Sequence, residues 1–134
     1  MVVVDTNVLA YLLLEGDRTP QAQALYARDA DWRSEAFLLV EFSNMLTTYV
    51  RGGRLDPGAA KELLADAERT LAGRVNLPNS RALELAMQYG VSAYDARFLA
   101  AAQGLGARLV TEDTKLRQAA PALTQSLAQA AGGP

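Results

Sequence analysis

The 134-residue sequence contains no cysteine and no histidine. It therefore has no disulfide, no thiol nucleophile, no thiolate zinc site, and no imidazole base or ligand. These absences exclude serine-protease, zinc-hydrolase and histidine-based nuclease mechanisms. Any hydrolytic chemistry has to use hydroxyls, the only two lysines (Lys61 and Lys115) or carboxylates, and this set of groups favours a hard, oxygen-loving cation.

Long apolar runs are also missing. No segment reaches the roughly 18 consecutive apolar residues of a membrane span. Met1 leads directly into Val2–Val4 without the basic flank and cleavage site of a signal peptide. We therefore expect a cytoplasmic protein with no membrane partner, which the lack of cysteine favours. The formal net charge of −2 is too small to indicate an acidic or basic partner.

What is present suffices for one domain. Hydrophobic residues make up 50% of the chain, and folding at this length removes roughly two-thirds of the unfolded surface from water. The sequence shows neither a linker nor an internal repeat. It predicts a single domain over residues 1–134, with a loose Ala/Gln/Gly-rich end after about residue 128.

Short β-branched runs alternate with helical patterns. Val2–Val4 and residues 108–111 predict strands buried on both faces, and two further candidate strands lie near residues 32–34 and 74–77. Between them, apolar residues recur at the three- and four-residue steps of helices. No hairpin turn signal joins the strands. This pattern predicts an α/β fold with a small parallel sheet of about four to five strands, flanked by helices.

Two acids follow the strongest strand candidates. Asp5 ends the first run, and Asp113 follows the last one. In an open parallel sheet the functional crevice lies beyond the carboxyl ends of the strands, so on neighbouring strands these carboxylates would meet where they suit a divalent cation. Each acid can equally be the cap of the helix that follows it.

Two more acids lie inside or at the start of helices. Glu41 falls in the apolar-rich helical stretch 37–42, where an unpaired carboxylate is costly, so either an arginine neutralises it or it ligates a metal. Asp95 lies three residues after Ser92, the spacing of a capping box. Four acids brought together repel one another unless a cation neutralises them.

Four segments, in this order and spacing, resemble the PIN domain family, and the chain's length is similar to that of VapC-type toxins of bacterial toxin–antitoxin pairs. The segments are VVDTNVL at 3–9, the helix around Glu41, SAYDA at 92–96 and LVTED at 109–113. The likeness extends to about residue 120. It implies a PIN-like three-layer sandwich of sheet and helices.

The resemblance also implies an activity. It indicates an endoribonuclease that cuts single-stranded or loop RNA with one or two Mg²⁺ or Mn²⁺ ions. The family's acidic quartet, both metal-binding and catalytic, carries over to Asp5, Glu41, Asp95 and Asp113. The supporting polar positions carry over to Thr6, Asn7, Ser92 and Thr111. Glu112 is an additional acid beside the fourth position, so the sequence leaves open whether Asp113 alone fills that role.

The partners implied by the resemblance are an RNA substrate, a small VapB-type antitoxin that covers the acidic pocket, and a second copy of the chain in a homodimer. An antitoxin arginine can replace a cation among carboxylates. The sequence offers candidate RNA contacts around the pocket, each of which can instead be a surface charge or a core aromatic: Arg51, Arg54, Arg97, Lys115, Arg117, Tyr11 and Tyr94.

Two other functions remain compatible with the residues. A PIN-like module could bind RNA or an antitoxin without cleaving anything. An aspartate-based phosphotransfer domain would use Asp5 as its nucleophile. That second alternative is weaker, because haloacid-type phosphatases have an Asp-x-Asp pair where this chain has Asp5, Thr6 and Asn7.

Overall fold

The structure, a computed structural model, describes residues 1–132 and is built on a five-stranded sheet. The strands in chain order are β1 (Val2–Val4), β2 (Trp32–Glu35), β3 (Gly73–Val75), β4 (Leu109–Val110) and β5 (Thr124–Gln125). Their order across the sheet is β3-β2-β1-β4-β5, and neighbouring strands pair in parallel. The predicted α/β fold, with a small parallel sheet flanked by helices, is confirmed.

The helices occupy most of the chain between the strands. They are α1 (Thr6–Leu13), α2 (Thr19–Arg28), α3 (Phe37–Arg51), α4 (Pro57–Thr70), α5 (Asn79–Tyr89), α6 (Ala93–Gly104), α7 (Thr114–Ala119) and α8 (Leu127–Ala130). Helix α4 begins with Asp56, which accepts backbone hydrogen bonds as N-cap, and with Pro57 in the first turn. It ends at Thr70, and Gly73 opens strand β3.

The core surrounds strand β1, at the centre of the sheet, and its neighbour β4. Strands β1 and β4 are buried along their whole length, helix α6 packs against β1, β2 and β4, and α5 packs against α6. Helices α1 to α4 form a second group of packed helices. In the sheet Val4 lies opposite Val110, and the Asp5 N–H donates to the Val110 carbonyl at 3.4 Å. This register brings the ends of β1 and β4 side by side.

The end of the chain is more structured than its composition indicates. Strand β5 pairs with β4 after residue 121, and helix α8 is held by a capping box between Ser126 and Gln129. Helical structure thus continues past residue 128, after which the sequence predicts a loose end. Residues 133 and 134 of that end lie outside the described residues. Over residues 1–132, none of the helices has the length and apolar character needed to traverse a bilayer.

Candidate active site

Asp5 and Asp113 stand at the carboxyl ends of the neighbouring strands β1 and β4. The Asp5 carboxylate accepts a hydrogen bond from the Val8 N–H at 3.1 Å and caps α1. The Asp113 carboxylate accepts from the Leu116 N–H at 3.1 Å and caps α7. Both interpretations of these acids therefore apply together: each one caps a helix, and the two share one edge of the sheet.

Thr111 connects the two acids. It is fully buried, and its Oγ1 accepts a hydrogen bond from the Asp113 N–H at 3.1 Å. A hydrogen bond with the same side chain lowers the pKa of the Asp5 carboxyl. The Thr111 hydroxyl thus acts on two acids that are more than a hundred residues apart in sequence, through the backbone of Asp113 and through the carboxyl of Asp5.

Helix α3 contributes the third acid, Glu41. Buried Thr6 donates a hydrogen bond from its hydroxyl to Glu41 Oε1 at 2.6 Å. No arginine or lysine within residues 1–132 forms an ion pair with Glu41. Of the two alternatives that the sequence offers for this acid, an arginine partner is therefore not found among these residues. A neutral hydroxyl holds the carboxylate in place without cancelling its charge.

The fourth acid, Asp95, lies in the first turn of α6. The Ser92 hydroxyl caps this helix by accepting from the Asp95 N–H at 3.0 Å. Burial, and then the charge of Asp113, raise the pKa of the Asp95 carboxyl, while a hydrogen bond with Ser92 lowers it. Asp95 is thus both the helix-start residue that its spacing predicted and a neighbour of Asp113.

All four predicted acids line one cavity of about 440 Å³. Thr6 and Asn7 also line it, whereas Ser92 and Thr111 do not and instead accept hydrogen bonds from the backbone N–H groups of Asp95 and Asp113. The remaining lining residues are Phe37, Val40, Asn44, Met45 and Phe98. Sequence reasoning missed Asn44 as a site residue, although it lies only three positions, or about one helical turn, after Glu41 on α3.

The cavity carries uncompensated negative charge. The pKa of Asp5 is raised to about 6, because burial and then the charges of Asp95 and Asp113 raise it by more than the hydrogen bonds from Thr111 and Val8 lower it. Throughout the described part of the chain, no basic group pairs with any of the four acids. Such an arrangement favours a bound cation.

The donor set fits a hard divalent cation by its chemistry, since carboxylate, hydroxyl and amide oxygens surround the cavity. Nowhere in residues 1–132, however, do three acidic side chains stand close enough together to hold a metal ion as they are. The carboxylates are instead bonded to protein donors such as Thr6 and the Val8 N–H. Because Mg²⁺ usually keeps several of its waters, the fit is to a hydrated ion held by one or two carboxylates directly.

Glu112, the additional acid beside Asp113, is engaged outside the cavity. It pairs with Arg18, and with Arg117 at 3.2 Å, and it accepts a hydrogen bond from the Leu127 N–H at 3.0 Å. Of the two adjacent acids, only Asp113 lines the cavity. Arg117, a candidate RNA contact in the sequence, is bound to Glu112.

Glu35 is an acid that sequence reasoning missed. It lies at the end of β2, is 1% exposed, and accepts hydrogen bonds from the Phe37 N–H at 2.5 Å and the Leu77 N–H at 3.4 Å. It also pairs with Arg97 at 3.3 Å. The signal in the sequence is its place at the end of a predicted strand, but the ion pair with Arg97, a candidate RNA contact, explains its burial.

The sequence is similar to known proteins over most of its length. The model of the PIN domain family matches residues 2–121. Ribonuclease VapC3 of Pyrobaculum aerophilum is 30% identical over 125 residues, which cover 90% of this chain and 95% of that protein.

Two solved structures share the fold. The crystal structure of PAE2754 from Pyrobaculum aerophilum gives a TM-score of 0.78 at 22% identity, covering 97% of this chain and 92% of that one. A toxin–antitoxin complex from Klebsiella pneumoniae gives a TM-score of 0.68 at 23% identity, covering 93% of this chain and 97% of that one. At these identities, the two likenesses show a common α/β architecture.

Proposed function

The chain belongs to the PIN domain family and is of the VapC type, and on that premise we propose that it is a metal-dependent endoribonuclease that hydrolyses phosphodiester bonds in single-stranded or loop RNA. The observation that carries the proposal is the gathering of four carboxylates from separate elements into one cavity without a basic partner among the described residues. The name of the relative, Ribonuclease VapC3, supports the choice of RNA.

In this proposal the acidic quartet holds one or two Mg²⁺ or Mn²⁺ ions. Asp5 and Asp95 bind directly, and Glu41 and Asp113 complete the site directly or through water. When bound, such a cation polarises a phosphoryl oxygen and lowers the pKa of water. Its charge would also favour the ionised form of Asp5, whose pKa burial otherwise raises to about 6.

The chain's own polar residues position this machinery. The Thr6 hydroxyl donates a hydrogen bond to Glu41 at 2.6 Å, and the Thr111 hydroxyl accepts one from the backbone N–H of Asp113 at 3.1 Å. Asn7 and Asn44 line the cavity and supply amide donors for phosphate oxygens. With no histidine in the sequence, protons move at carboxylates and water.

We also propose that the protein is the toxin of a toxin–antitoxin pair, with a small VapB-type antitoxin as its partner. One structural neighbour is a toxin–antitoxin complex. The unpaired carboxylates of the cavity would accept an arginine from such a partner, since a guanidinium can take the place of a cation. The homodimer implied by the sequence resemblance stays a prediction.

The test is cleavage of a total cellular RNA pool by the purified protein with Mn²⁺, with Mg²⁺ or with EDTA. We expect discrete fragments with 5′-phosphate ends that need the metal and disappear in Asp5→Asn and Asp95→Asn. Asp5→Asn keeps a side-chain oxygen that can cap α1, and Asp95→Asn keeps the backbone N–H that donates to Ser92. Thermal unfolding checks that both variants fold.

Three results would contradict the proposed nuclease function. Cleavage that persists in both folded variants would come from a contaminant. A metal-binding, folded protein, free of antitoxin, that cuts no RNA pool would instead be a binding module. Covalent labelling by acetyl phosphate, which a nuclease of this kind does not undergo, would point to the phosphotransfer alternative.

A further inference from the structure

A stacked aromatic pair, of which the outer ring is exposed, stands beside the acidic cavity. The rings of Phe37 and Tyr94 are stacked, with centroids 5.5 Å apart and planes 17° from parallel. Phe37 lines the cavity, and Tyr94 directly precedes Asp95 at the start of α6. Tyr94 is nevertheless 62% exposed, so much of its ring area remains available to a ligand next to the carboxylates.

The inner ring of the pair is held firmly. The Arg97 guanidinium lies 5.7 Å from the centre of the Phe37 ring, and Arg97 is itself paired with buried Glu35. Glu35 also accepts a hydrogen bond from the Phe37 backbone. Phe37 is thus fixed through both its ring and its main chain. A ligand that binds such a preorganised surface does not lose free energy to the ordering of this side chain.

The outer ring has no comparable internal anchor. Within residues 1–132, the Tyr94 hydroxyl makes no hydrogen bond to the protein. Leaving a large aromatic exposed forfeits the free energy of its burial. The exposed part of the Tyr94 ring thus adds no buried area to the fold and presents a π-face at the edge of the cavity.

We propose that Phe37 and Tyr94 form a base-stacking platform, on which an unpaired base of an RNA strand lies while its phosphate backbone passes the acidic cavity. This inference rests on the proposed nuclease function and deepens it. Every base has a π-face, so stacking tolerates different sequences but requires a base that is free of a duplex. The platform thereby selects single-stranded and loop RNA.

The first experiment measures binding by fluorescence anisotropy, with Ca²⁺ present to neutralise the cavity. The probes are a labelled short oligouridylate and an abasic oligomer with the same ribose-phosphate backbone. We expect the wild type to bind the oligouridylate about tenfold more tightly, because one stacked base contributes that much. Tyr94→Ala and Tyr94→Leu should erase this preference, whereas Tyr94→Phe, which keeps the ring, should retain it.

Tyr26→Ala is the matched control, because Tyr26 is also exposed but lines a different cavity, with Leu12 and Arg69. It should bind both probes like the wild type. Equal binding of the two probes by the wild type would overturn the platform. So would an unchanged preference in the folded Tyr94→Ala variant, and the pair would then be a surface for a protein partner.

Cleavage of the RNA pool separates this inference from the proposed function. Metal-dependent cleavage without a preference for base-bearing RNA would keep the nuclease and overturn the platform. A preference that depends on Tyr94, in a protein that cuts no RNA, would support the platform and contradict the nuclease.

Discussion

Two sets of acids lie at or near the carboxyl edge of the sheet and differ in what surrounds them. The cavity set has no basic partner within the described chain, and it consists of Asp5, Glu41, Asp95 and Asp113. The flanking set consists of Glu35 and Glu112, and each of these is paired with arginine. The same edge therefore contains both neutralised and unneutralised carboxylates.

The arginines near the cavity acids in sequence show that this difference is specific. Arg97 follows Asp95 by two residues but pairs with Glu35. Arg117 follows Asp113 by four residues but pairs with Glu112. The fold thus directs both guanidinium groups to the flanking acids, and the resulting repulsion in the cavity is a cost to stability of the kind that active sites carry.

Removing a neutralised acid should have the largest effect on stability. Glu35→Ala leaves Arg97 without its partner and the Phe37 and Leu77 N–H groups without their acceptor. We expect a loss of about 3–5 kcal/mol in the free energy of unfolding, measured by urea denaturation.

Glu35→Gln is the control for that change. It keeps an oxygen acceptor for the two N–H groups and should lose less than Glu35→Ala. A Glu35→Ala variant as stable as the wild type would show that the ion pair with Arg97 is not what makes the burial of this acid tolerable.

Removing the charge of an unneutralised acid should instead raise the free energy of unfolding. In the metal-free protein Asp5 has its pKa raised to about 6, above its ordinary value near 4, so the folded state binds the proton more tightly than the unfolded chain. The stability that the folded state gains from this tighter proton binding is fully present below about pH 4 and is lost as the pH rises through about 6. Asp5→Asn, which keeps a capping oxygen, avoids the loss.

We therefore expect Asp5→Asn to gain stability relative to the wild type as the pH rises from about 4 to about 8, by up to about 3 kcal/mol. Urea denaturation in EDTA across this range measures the gain. Mn²⁺ should reduce it, because the metal stabilises only the wild type. If Asp5→Asn were less stable than the wild type by the same amount at every pH in this range, the ionised Asp5 carboxylate would not be destabilising the fold.

The smallest effect is expected at Thr6, which holds a cavity acid without neutralising it. Thr6→Val removes the hydroxyl donor to Glu41 and should cost about 1 kcal/mol of stability. It should also slow RNA cleavage several-fold, because Glu41 loses its fixed position. Thr6→Ser keeps the donor and should restore the rate, and equal rates in both variants would argue against this positioning role.

Local sequence rules predicted the elements that depend on neighbours in the chain. The ends of predicted strands indicated that Asp5 and Asp113 lie at one edge of the sheet, and the spacing of Ser92 and Asp95 predicted the start of α6. Strand β5 was missed because its two polar residues, Thr124 and Gln125, become a strand only by pairing with β4. Its formation is set by tertiary contact rather than by the local pattern.

The roles of the two flanking acids were beyond local rules for the same reason. Glu35 is matched by Arg97, which lies 62 positions away, and Glu112 by Arg18, which lies 94 positions away. Nothing near Glu112 in the sequence distinguishes it from Asp113. The resemblance to the PIN family predicted the four cavity acids. The structure then shows that Asp113 lines the cavity and that Glu112 pairs with arginines outside it.

That adjacent pair gives the most direct test of the account. The measurement is the rate of Mn²⁺-dependent RNA cleavage by wild type, Asp113→Asn and Glu112→Gln, with thermal unfolding of each. We expect Asp113→Asn to stay folded and lose at least about a hundredfold in rate, and Glu112→Gln to lose stability and keep its rate within several-fold. A folded Asp113→Asn variant that cleaves at the wild-type rate would contradict the assignment of function to the unneutralised acids.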